Sequence, residues 1–466
     1  MKKHLLFIFA ALLPLLASAQ TKVEIDGIWY NLDADTKQAE VTSSPNDYYT
    51  GSITIPATLI YEGVDYSVTS IESNAFRGCR SLTSTNIPEG VTSIGEQAFA
   101  GCRNLTTITI PKGVTRIEER TFDGCNSLTS INIPASITII GDFAFTDCLC
   151  LTTITLPEGV MSIGHATFDG CSSLTAITIP ASVTSIGERV FHRCTSLKSI
   201  TVDPGNTQYD SRDNCNAIIE SSSNTLITGC PTTIFPHSVT HIGNYAFSGS
   251  ELTSFIIPEW VTSIGNATFL GCSKLSSISM PKSMTSIGEA AFKGCTSLAS
   301  VILPENVTSL ELEVFFGCSK LTTINIPKNI TKIGDVAFSS CSSLTSAILP
   351  ATLEMLGYAA FGNCEKLQNV YCYAEKVPSA DLANFYGTNF RYATLHVPAS
   401  ALDTYKATAP WNSFGNIVAL TEEEMSIEQV TSGKSQSSIY DLRGRRVEKA
   451  EKDGIYIVNG RKVIIK

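Results

Sequence analysis

Residues 94–111 read IGEQAFAGCRNLTTITIP, and a close copy of this stretch returns along most of the chain. Its phenylalanine shows the period best, because neighbouring copies stand 23 residues apart, except for one 22-residue step and one long gap. These phenylalanines are Phe76, Phe99, Phe122, Phe145, Phe168, Phe191, Phe247, Phe269, Phe292, Phe315, Phe338 and Phe361. A leucine follows each of them by five or six residues. Repetition on this scale predicts a solenoid whose units bury their apolar face only against their neighbours.

Within one unit the residue types predict a strand, a turn, a second strand and one helical turn. Leu105, Ile108 and Ile110 should face the core, and Thr109 should face outward, because side chains alternate along a strand. The proline that follows ends this strand. The next Val-Thr-Arg-Ile predicts the second strand, and one helical turn leads to Phe122. The predicted fold is a curved, mainly β solenoid of leucine-rich-repeat type, with about twelve units of 23 residues.

The repeated pattern also carries a family resemblance. The unit Ala-Phe-x-x-Cys-x-x-Leu-x-x-Ile-x-Ile-Pro-x-x-Val-Thr-x-Ile-Gly resembles the BspA-like leucine-rich repeats of bacterial surface proteins over roughly residues 50–370. This resemblance implies a secreted or surface-exposed solenoid used in adhesion, with host matrix proteins as typical ligands. It implies little about the identity of the ligand.

The regions beside the repeats predict the remaining domains. Residues 1–19 have a basic start, an apolar run and an Ala-Ser-Ala end, which predicts a signal peptide and an exported protein. Residues 20–65 are expected to form an N-terminal cap, 66–369 the solenoid, 370–420 a C-terminal cap and 421–436 a linker. The apolar run is shorter than a bilayer span, and no later stretch is long enough, so no transmembrane segment is expected in the mature chain.

The tail at residues 437–466 predicts short β-strands joined by glycine turns. From residue 435 onward it carries eight Lys or Arg against four Asp or Glu, in a chain whose net charge is −10. The segments IYDLRG at 439–444 and GIYI at 454–457 resemble the C-terminal sorting domain of type IX secretion. The resemblance implies contact with the secretion machinery and a place at the outer cell surface. The alternative is a small β appendage that only closes the chain.

One interruption of the period stands out. Phe191 and Phe247 are 56 residues apart, which predicts a longer repeat with an added hairpin at about 201–235. Such an insertion is either a binding loop or a lengthened turn without a role of its own. Its aspartates are Asp203, Asp210 and Asp213. They lack the spacing of an EF-hand loop, so no metal site is predicted.

Eleven of the fifteen cysteines share one repeat position: Cys79, Cys102, Cys125, Cys148, Cys171, Cys194, Cys272, Cys295, Cys318, Cys341 and Cys364. Side chains stacked in parallel do not meet at the dihedral angle that a disulfide needs, so a column of buried free thiols is expected. A few disulfides are the alternative, and Cys215 with Cys230 in the insertion is the pair favoured for one. A metal site is the least favoured interpretation.

Nothing in the sequence indicates catalysis or a cofactor. The six histidines form no His-Glu-x-x-His motif, and no phosphate-binding loop or Gly-x-Ser-x-Gly elbow occurs. The negative net charge also disfavours nucleic-acid binding, which needs a basic surface. We therefore expect a protein that is not an enzyme.

The outward position of the first strand gives the candidate ligand surface. Its residues are Asn86, Thr109, Asn132, Thr155, Thr178, Thr201, Ile256, Ser279, Ile302, Asn325 and Ile348. The three isoleucines are expected to meet water, and exposed apolar groups often mark protein contacts. Simple β-propensity is the alternative explanation. This set of residues contains no aromatic ring, which disfavours sugar binding.

Two classes of function follow from these observations. The first is an adhesin that binds surface or matrix proteins of a host or a neighbouring cell. The second is a structural or accessory surface scaffold without a specific ligand. Capture of glycans is a weaker third interpretation.

Overall fold

The computed structural model describes residues 21–46 and 48–425, together with four strands of the C-terminal tail. The predicted signal peptide and most of the predicted linker lie outside these residues. The described chain winds into a mostly β solenoid of about 15 turns, which confirms the predicted fold. The number of turns exceeds the predicted twelve, because turns at both ends and in the insertion lack the sequence signature.

The first strand of each unit lies parallel to the strand of the next unit, in what we call the first column. Ile108 pairs with Ile131, and Ile177 pairs with Ile200. Its strands are Gly51–Thr54, Leu82–Asn86, Thr107–Thr109, Ser130–Asn132, Ala176–Ile179, Ser199–Val202, Ser254–Ile256, Ser277–Ser279, Thr323–Asn325, Ser346–Leu349, Asn369–Cys372, Thr394–Val397 and Asn416–Ala419. Parallel pairing therefore continues well past residue 369, where the sequence departs from the period.

The second strand of each unit builds a second column of shorter parallel strands. They are Val64–Ile71, Ser93–Ile94, Arg116–Ile117, Ile139–Ile140, Ser162–Ile163, Ser185–Ile186, Thr225–Gly229, His241–Ile242, Ser263–Ile264, Ser286–Ile287, Ser309–Leu310, Lys332–Ile333 and Met355–Leu356. Most are only two residues long, because the turn that leads to the phenylalanine begins directly after the second strand residue.

This turn differs from the predicted helical turn. In the unit of Phe122, Arg120 has a φ of 53° and Gly124 has a φ of 69°, and such left-handed residues do not continue a helix. The N–H of Phe122 donates to the carbonyl of Ala144 in the next unit at 2.9 Å. Hydrogen bonds between units thus replace those that would close a helix.

The repeated phenylalanines stack into a column of rings inside the solenoid. Ring centroids are 5.0 Å apart between Phe76 and Phe99, and 5.2 Å apart between Phe338 and Phe361. The planes of these two pairs are 3° and 12° from parallel. Phe385 adds a further ring at 6.1 Å from Phe361, although it lies outside the 23-residue spacing.

A mixed sheet closes the N-terminal end, antiparallel except where Gln38–Thr42 pairs parallel with Val64–Ile71. Its strands are Thr21–Ile25, Ile28–Asp33, Gln38–Thr42, Thr58–Tyr61 and Val64–Ile71. The Tyr49 ring packs on Phe76 at 4.9 Å and so covers the first ring of the column. The end of the last strand pairs with Ser93–Ile94, which joins the cap directly to the second column.

The insertion contains the predicted hairpin. Tyr209–Asp210, Ala217–Glu220 and Thr225–Gly229 pair antiparallel, and the last of these then pairs parallel with His241–Ile242. The Ile200 N–H donates a hydrogen bond to the Asn216 side-chain oxygen at 2.6 Å. The hairpin therefore covers the edge of the first column. The buried core is divided at this point into two clusters of side chains.

Short helices follow the last regular unit. The described helices are Arg212–Asn214 in the insertion and then Leu382–Phe385, Phe390–Tyr392, Ala399–Ala401, Leu402–Ala407 and Trp411–Ser413. Trp411 and Phe414 are buried against Phe385 and cover the C-terminal end of the ring column. No helix of the described residues has both the length and the hydrophobicity needed to cross a bilayer.

The described parts of the tail form an antiparallel sheet. In spatial order its strands are Arg446–Val447, Ile439–Tyr440, Gly454–Val458 and Arg461–Ile465.

Candidate ligand-binding face

The outward residues of the first column form a continuous line, which we call the outward column. Strand alternation produces it, because Ile177 and Ile179 turn inward and are buried while Thr178 between them is exposed. The Thr178 and Thr201 hydroxyls of adjacent units lie 2.9 Å apart. The predicted residues that are exposed are Asn86, Thr109, Asn132, Thr155, Thr178, Thr201, Ile256, Ser279, Ile302 and Asn325.

One predicted residue already has a structural partner. The Asn86 side chain accepts a hydrogen bond from the Ile55 N–H at 2.8 Å and donates one to the Ile55 carbonyl at 2.9 Å. It therefore ties the irregular first strand to the first full repeat. Because the oxygen and the NH₂ group of its side chain both bond to the Ile55 backbone, Asn86 contributes less to a ligand surface than its position in the repeat suggests.

Two isoleucines give the outward column its most exposed apolar part. Ile256 is 77% exposed and Ile302 is 70% exposed. They are two units apart, which is about 10 Å for stacked strands, and Ser279 pairs beside Ile256. Ile348 is less exposed than predicted: it is half-buried, and it pairs with Tyr371 of the next strand.

The outward column extends beyond the predicted residues. Ile348 pairs with Tyr371, and Tyr371 pairs with His396. The last two rings stack with centroids 4.4 Å apart. The period itself could have found Tyr371, which stands 23 residues after Ile348. The eleven predicted residues contain no aromatic ring, and the extension of the column at its C-terminal end adds two.

Glu424 lies near both rings of this pair. A phenol is already neutral at pH 7, and burial together with the nearby Glu424 raises the pKa of Tyr371 further. The His396 Nδ1 atom lies 3.0 Å from Glu424 Oε1. The pair offers one apolar ring face and several polar groups at the end of the outward column.

The cysteine column is buried and carries free thiols. Ten of the eleven thiols donate to the carbonyl oxygen of the phenylalanine 26 residues earlier, or 25 for Cys272, at 3.1 to 3.3 Å. The same contact occurs at Cys102, Cys125, Cys148, Cys171, Cys194, Cys272, Cys295, Cys318, Cys341 and Cys364. Burial raises the pKa of Cys318 to about 12, so these groups are poor nucleophiles.

The disulfide favoured for the insertion does not form in the structure. Cys215 and Cys230 are both free and buried. The Cys215 thiol faces the Ala217 carbonyl at 3.7 Å, whereas the Cys230 thiol faces the Asn216 carbonyl at 3.5 Å. Each sulfur thus has its own backbone acceptor.

Two of the three aspartates of the insertion, Asp203 and Asp210, accept hydrogen bonds within the protein. The Asp210 carboxylate accepts hydrogen bonds from the Arg212 guanidinium and from the Ser221 hydroxyl, which lower its pKa. Asp203 accepts from the Gly205 N–H at 2.8 Å. Across the described part of the chain, no group of three or more His, Cys, Asp or Glu side chains is placed to hold a metal ion.

Further exposed apolar side chains lie outside the outward column. Tyr358, Leu382, Tyr386 and Tyr392 are all well exposed near the C-terminal end of the solenoid. Sequence analysis did not single them out, because they do not share one repeat position.

Comparison with known proteins connects this geometry to a family. The profile of the BspA type leucine-rich repeat region matches residues 60–148, 115–222, 213–321 and 285–406. These overlapping matches cover most of the chain. Comparison with curated proteins gives no match.

Solved structures show the same fold. A leucine-rich cell surface protein from Faecalibacterium prausnitzii is 32% identical, with a TM-score of 0.56 over 76% of this chain and 94% of that one. A leucine-rich repeat protein from Bacteroides ovatus is 28% identical, with a TM-score of 0.50 over 86% of this chain and 100% of that one. The pneumococcal vaccine antigen PcpA is 21% identical, with a TM-score of 0.64 over 86% of this chain and 99% of that one.

Proposed function

This chain belongs to the BspA-type leucine-rich repeat family, and we propose that it is a non-catalytic adhesion protein of the cell exterior. Its partners would be surface or matrix proteins of a host or a neighbouring cell. The observation that carries the proposal is the exposure of Ile256 and Ile302 at the same repeat position, on one face of the solenoid. Exposed apolar groups aligned on a preformed surface favour protein binding, because little ordering is needed when a partner covers them.

The two halves of the outward column would make different kinds of contact with a partner. The Thr and Asn residues at 109–201 offer hydroxyl and amide groups to hydrogen-bond with a partner. The isoleucines at 256 and 302 supply the apolar area, and each contributes about 1.5–3 kcal/mol if a partner buries it fully. A partner that lies along several units would contact both halves.

A binding assay with column variants tests this proposal. We expect Ile256→Asp combined with Ile302→Asp to weaken binding to a matrix protein or mucin by about tenfold or more, because two apolar contacts become charged. Biolayer interferometry would measure the affinity, and circular dichroism would confirm folding. The matched control is Ile60→Asp, which changes an isoleucine of 68% exposure on a cap strand. Equal loss of affinity in both proteins would contradict a role for the column.

The scaffold interpretation gives a different result in the same experiment. A spacer without a specific ligand would show no saturable binding to any of the proteins tested. Glycan capture would instead depend on the stacked pair, so Tyr371→Ala would reduce binding to sugar chains while the isoleucine variants would not. We favour the adhesin because the isoleucine pair is more exposed than the half-buried Tyr371.

Export is the second part of the proposal. We infer a signal peptide at residues 1–19 and a sorting role for residues 437–466 from their sequence patterns, with support from the four-stranded sheet of the tail. Surface proteolysis of cells that express the chain with and without residues 437–466 would test it. We expect digestion of the repeats only when the tail is present. Equal digestion of both forms would remove the sorting role.

A further inference from the structure

The ring column is broken at the insertion. Ring pairs follow one another up to Phe168–Phe191, whose centroids are 5.6 Å apart, and regular stacking resumes with Phe247–Phe269, also at 5.6 Å. The last phenylalanine before the break is also less buried than the one before it. Phe191 is 8% exposed, whereas Phe168 is 0% exposed. The two buried clusters of the core meet at this same place.

A glycine stands where the inserted turn should carry its ring. In a regular unit, the backbone N–H of the phenylalanine donates to the carbonyl of the residue just before the next phenylalanine, as Phe168 does to Val190 at 3.0 Å. In the insertion, the Gly229 N–H makes the same bond to the carbonyl of Ala246, the residue before Phe247, at 2.9 Å. Gly229 therefore takes the backbone position of a repeat phenylalanine. A Cβ added to Gly229 would lie 2.4 Å from the Phe247 ring, so the Phe247 ring lies against this glycine where a regular unit has a further phenylalanine.

A cavity of about 330 Å³ lies at this break in the ring column. Phe191, Phe247, Ile186, Leu197 and Ile227 supply its apolar lining. For comparison, an engineered cavity of about 150 Å³ in another protein already binds benzene. The exposed Glu188 and Asn244 also line this cavity, so it communicates with solvent.

We propose that this cavity binds a small planar aromatic molecule, whose ring packs against Phe191 and Phe247 at the break in the ring column. Aromatic rings at stacking distance attract each other beyond their area burial, and Phe191 and Phe247 both line the cavity. This site is separate from the outward column, so the inference goes beyond the proposed adhesion.

The polar groups of the cavity indicate a ligand that donates a hydrogen bond. Glu188 and Glu220 both line it, and one Glu188 oxygen accepts from Asn244 Nδ2 at 2.9 Å. The second Glu188 oxygen receives no hydrogen bond from the described residues. Arg189 also lines the cavity, and its guanidinium donates through Nη2 to the Asp169 carboxylate at 2.8 Å, whereas its buried Nε–H has no hydrogen-bond partner among the described residues. An N–H or O–H group on the ring edge matches the second Glu188 oxygen.

Indole and 1-methylindole are suitable probes, since they share a ring system and differ in the N–H group. Isothermal titration and ligand-observed NMR on the full chain would measure their binding. We expect indole to bind with a Kd of about 0.1–1 mM and 1-methylindole several-fold more weakly. Equal affinities would overturn the role of the carboxylates. Absence of indole binding would overturn the site.

Filling the cavity provides the decisive variant. Leu197→Phe adds volume at the lining and should weaken indole binding by about tenfold or more, with an unchanged or higher Tm. The matched control is Leu298→Phe at the same repeat position of a fully packed unit, which should lower Tm but leave indole binding intact. If Leu197→Phe fails to fold, Ser250→Phe fills the same cavity from another unit. Undiminished indole binding in a folded filling variant would contradict the proposal.

Failure of this inference is distinguishable from failure of the proposed function. Leu197→Phe should leave the affinity for a protein partner unchanged, because Leu197 is buried and lies off the outward column.

Discussion

At the scale of single residues, the cysteine column shows why a thiol suits its position. The space inside a unit admits only a small side chain, and the sulfur donates to a phenylalanine carbonyl of the preceding unit. Burial favours the neutral thiol over the thiolate, and it raises the pKa of Cys318 and of Cys364 to about 12. The cysteines therefore contribute packing and a hydrogen bond rather than redox chemistry.

These raised pKa values predict a loss of stability at alkaline pH. A thiol of the unfolded chain titrates near 8.5, so the unfolded state loses its protons first as the pH rises. The stabilisation is complete below that pH and is lost progressively towards pH 12, with about 2 kcal/mol per thiol lost at pH 10. Urea unfolding at pH 7.5 and pH 10 in the presence of reductant would measure this change. Cys318→Ala with Cys364→Ala should lose about 4 kcal/mol less between the two pH values than the parent chain. Equal losses would contradict the assignment.

A second residue-scale prediction concerns Asp169, which is almost fully buried. Its carboxylate accepts from Arg189 at 2.8 Å and from Arg193 at 2.9 Å. Asp169→Ala leaves two guanidinium groups without this partner and should lower the free energy of unfolding by about 3 kcal/mol. Glu251→Ala removes an exposed partner of Lys274 and should change it by less than about 1 kcal/mol. Denaturant unfolding compares the two variants, and similar small effects would show that the buried pair matters little.

At the scale of the elements, the ring column is the feature that joins one unit to the next. Phe338 lies between two parallel neighbours, with centroids at 5.5 Å and 5.2 Å. Phe338→Ala should destabilise the chain by about 3–5 kcal/mol, through lost burial and a cavity that its rigid neighbours cannot close. Phe316→Ala is the control, because this half-buried ring lies outside the column and contacts Lys293. Thermal unfolding would measure both, and equal effects would contradict the special role of the stack.

At the scale of the whole molecule, the divided core predicts two units of stability. A solenoid is stabilised mainly by contacts between neighbouring turns, so a weak junction limits how far a perturbation spreads. Native-state hydrogen exchange should therefore give different opening free energies before residue 191 and after residue 247. Phe338→Ala should lower protection after residue 247 and leave the earlier turns unchanged. An even loss of protection on both sides of the insertion would contradict two separate units.

The sequence by itself determined the parts of this protein that depend on its period. A period of 23 residues and strand alternation were enough to place Leu105 inside, Thr109 outside and the cysteines in one buried column. Each of these positions is surrounded by its own copies in adjacent units, so its environment follows from the repeat.

Only the tertiary structure decided what happens where the copies stop. It placed Phe385 on the ring column, His396 beside Tyr371 and Gly229 in the position of a phenylalanine. It also replaced the predicted helical turn by hydrogen bonds between units. These features depend on how chain segments of irregular length cross the gap between neighbouring turns, and a sequence pattern that has lost its period does not specify that path.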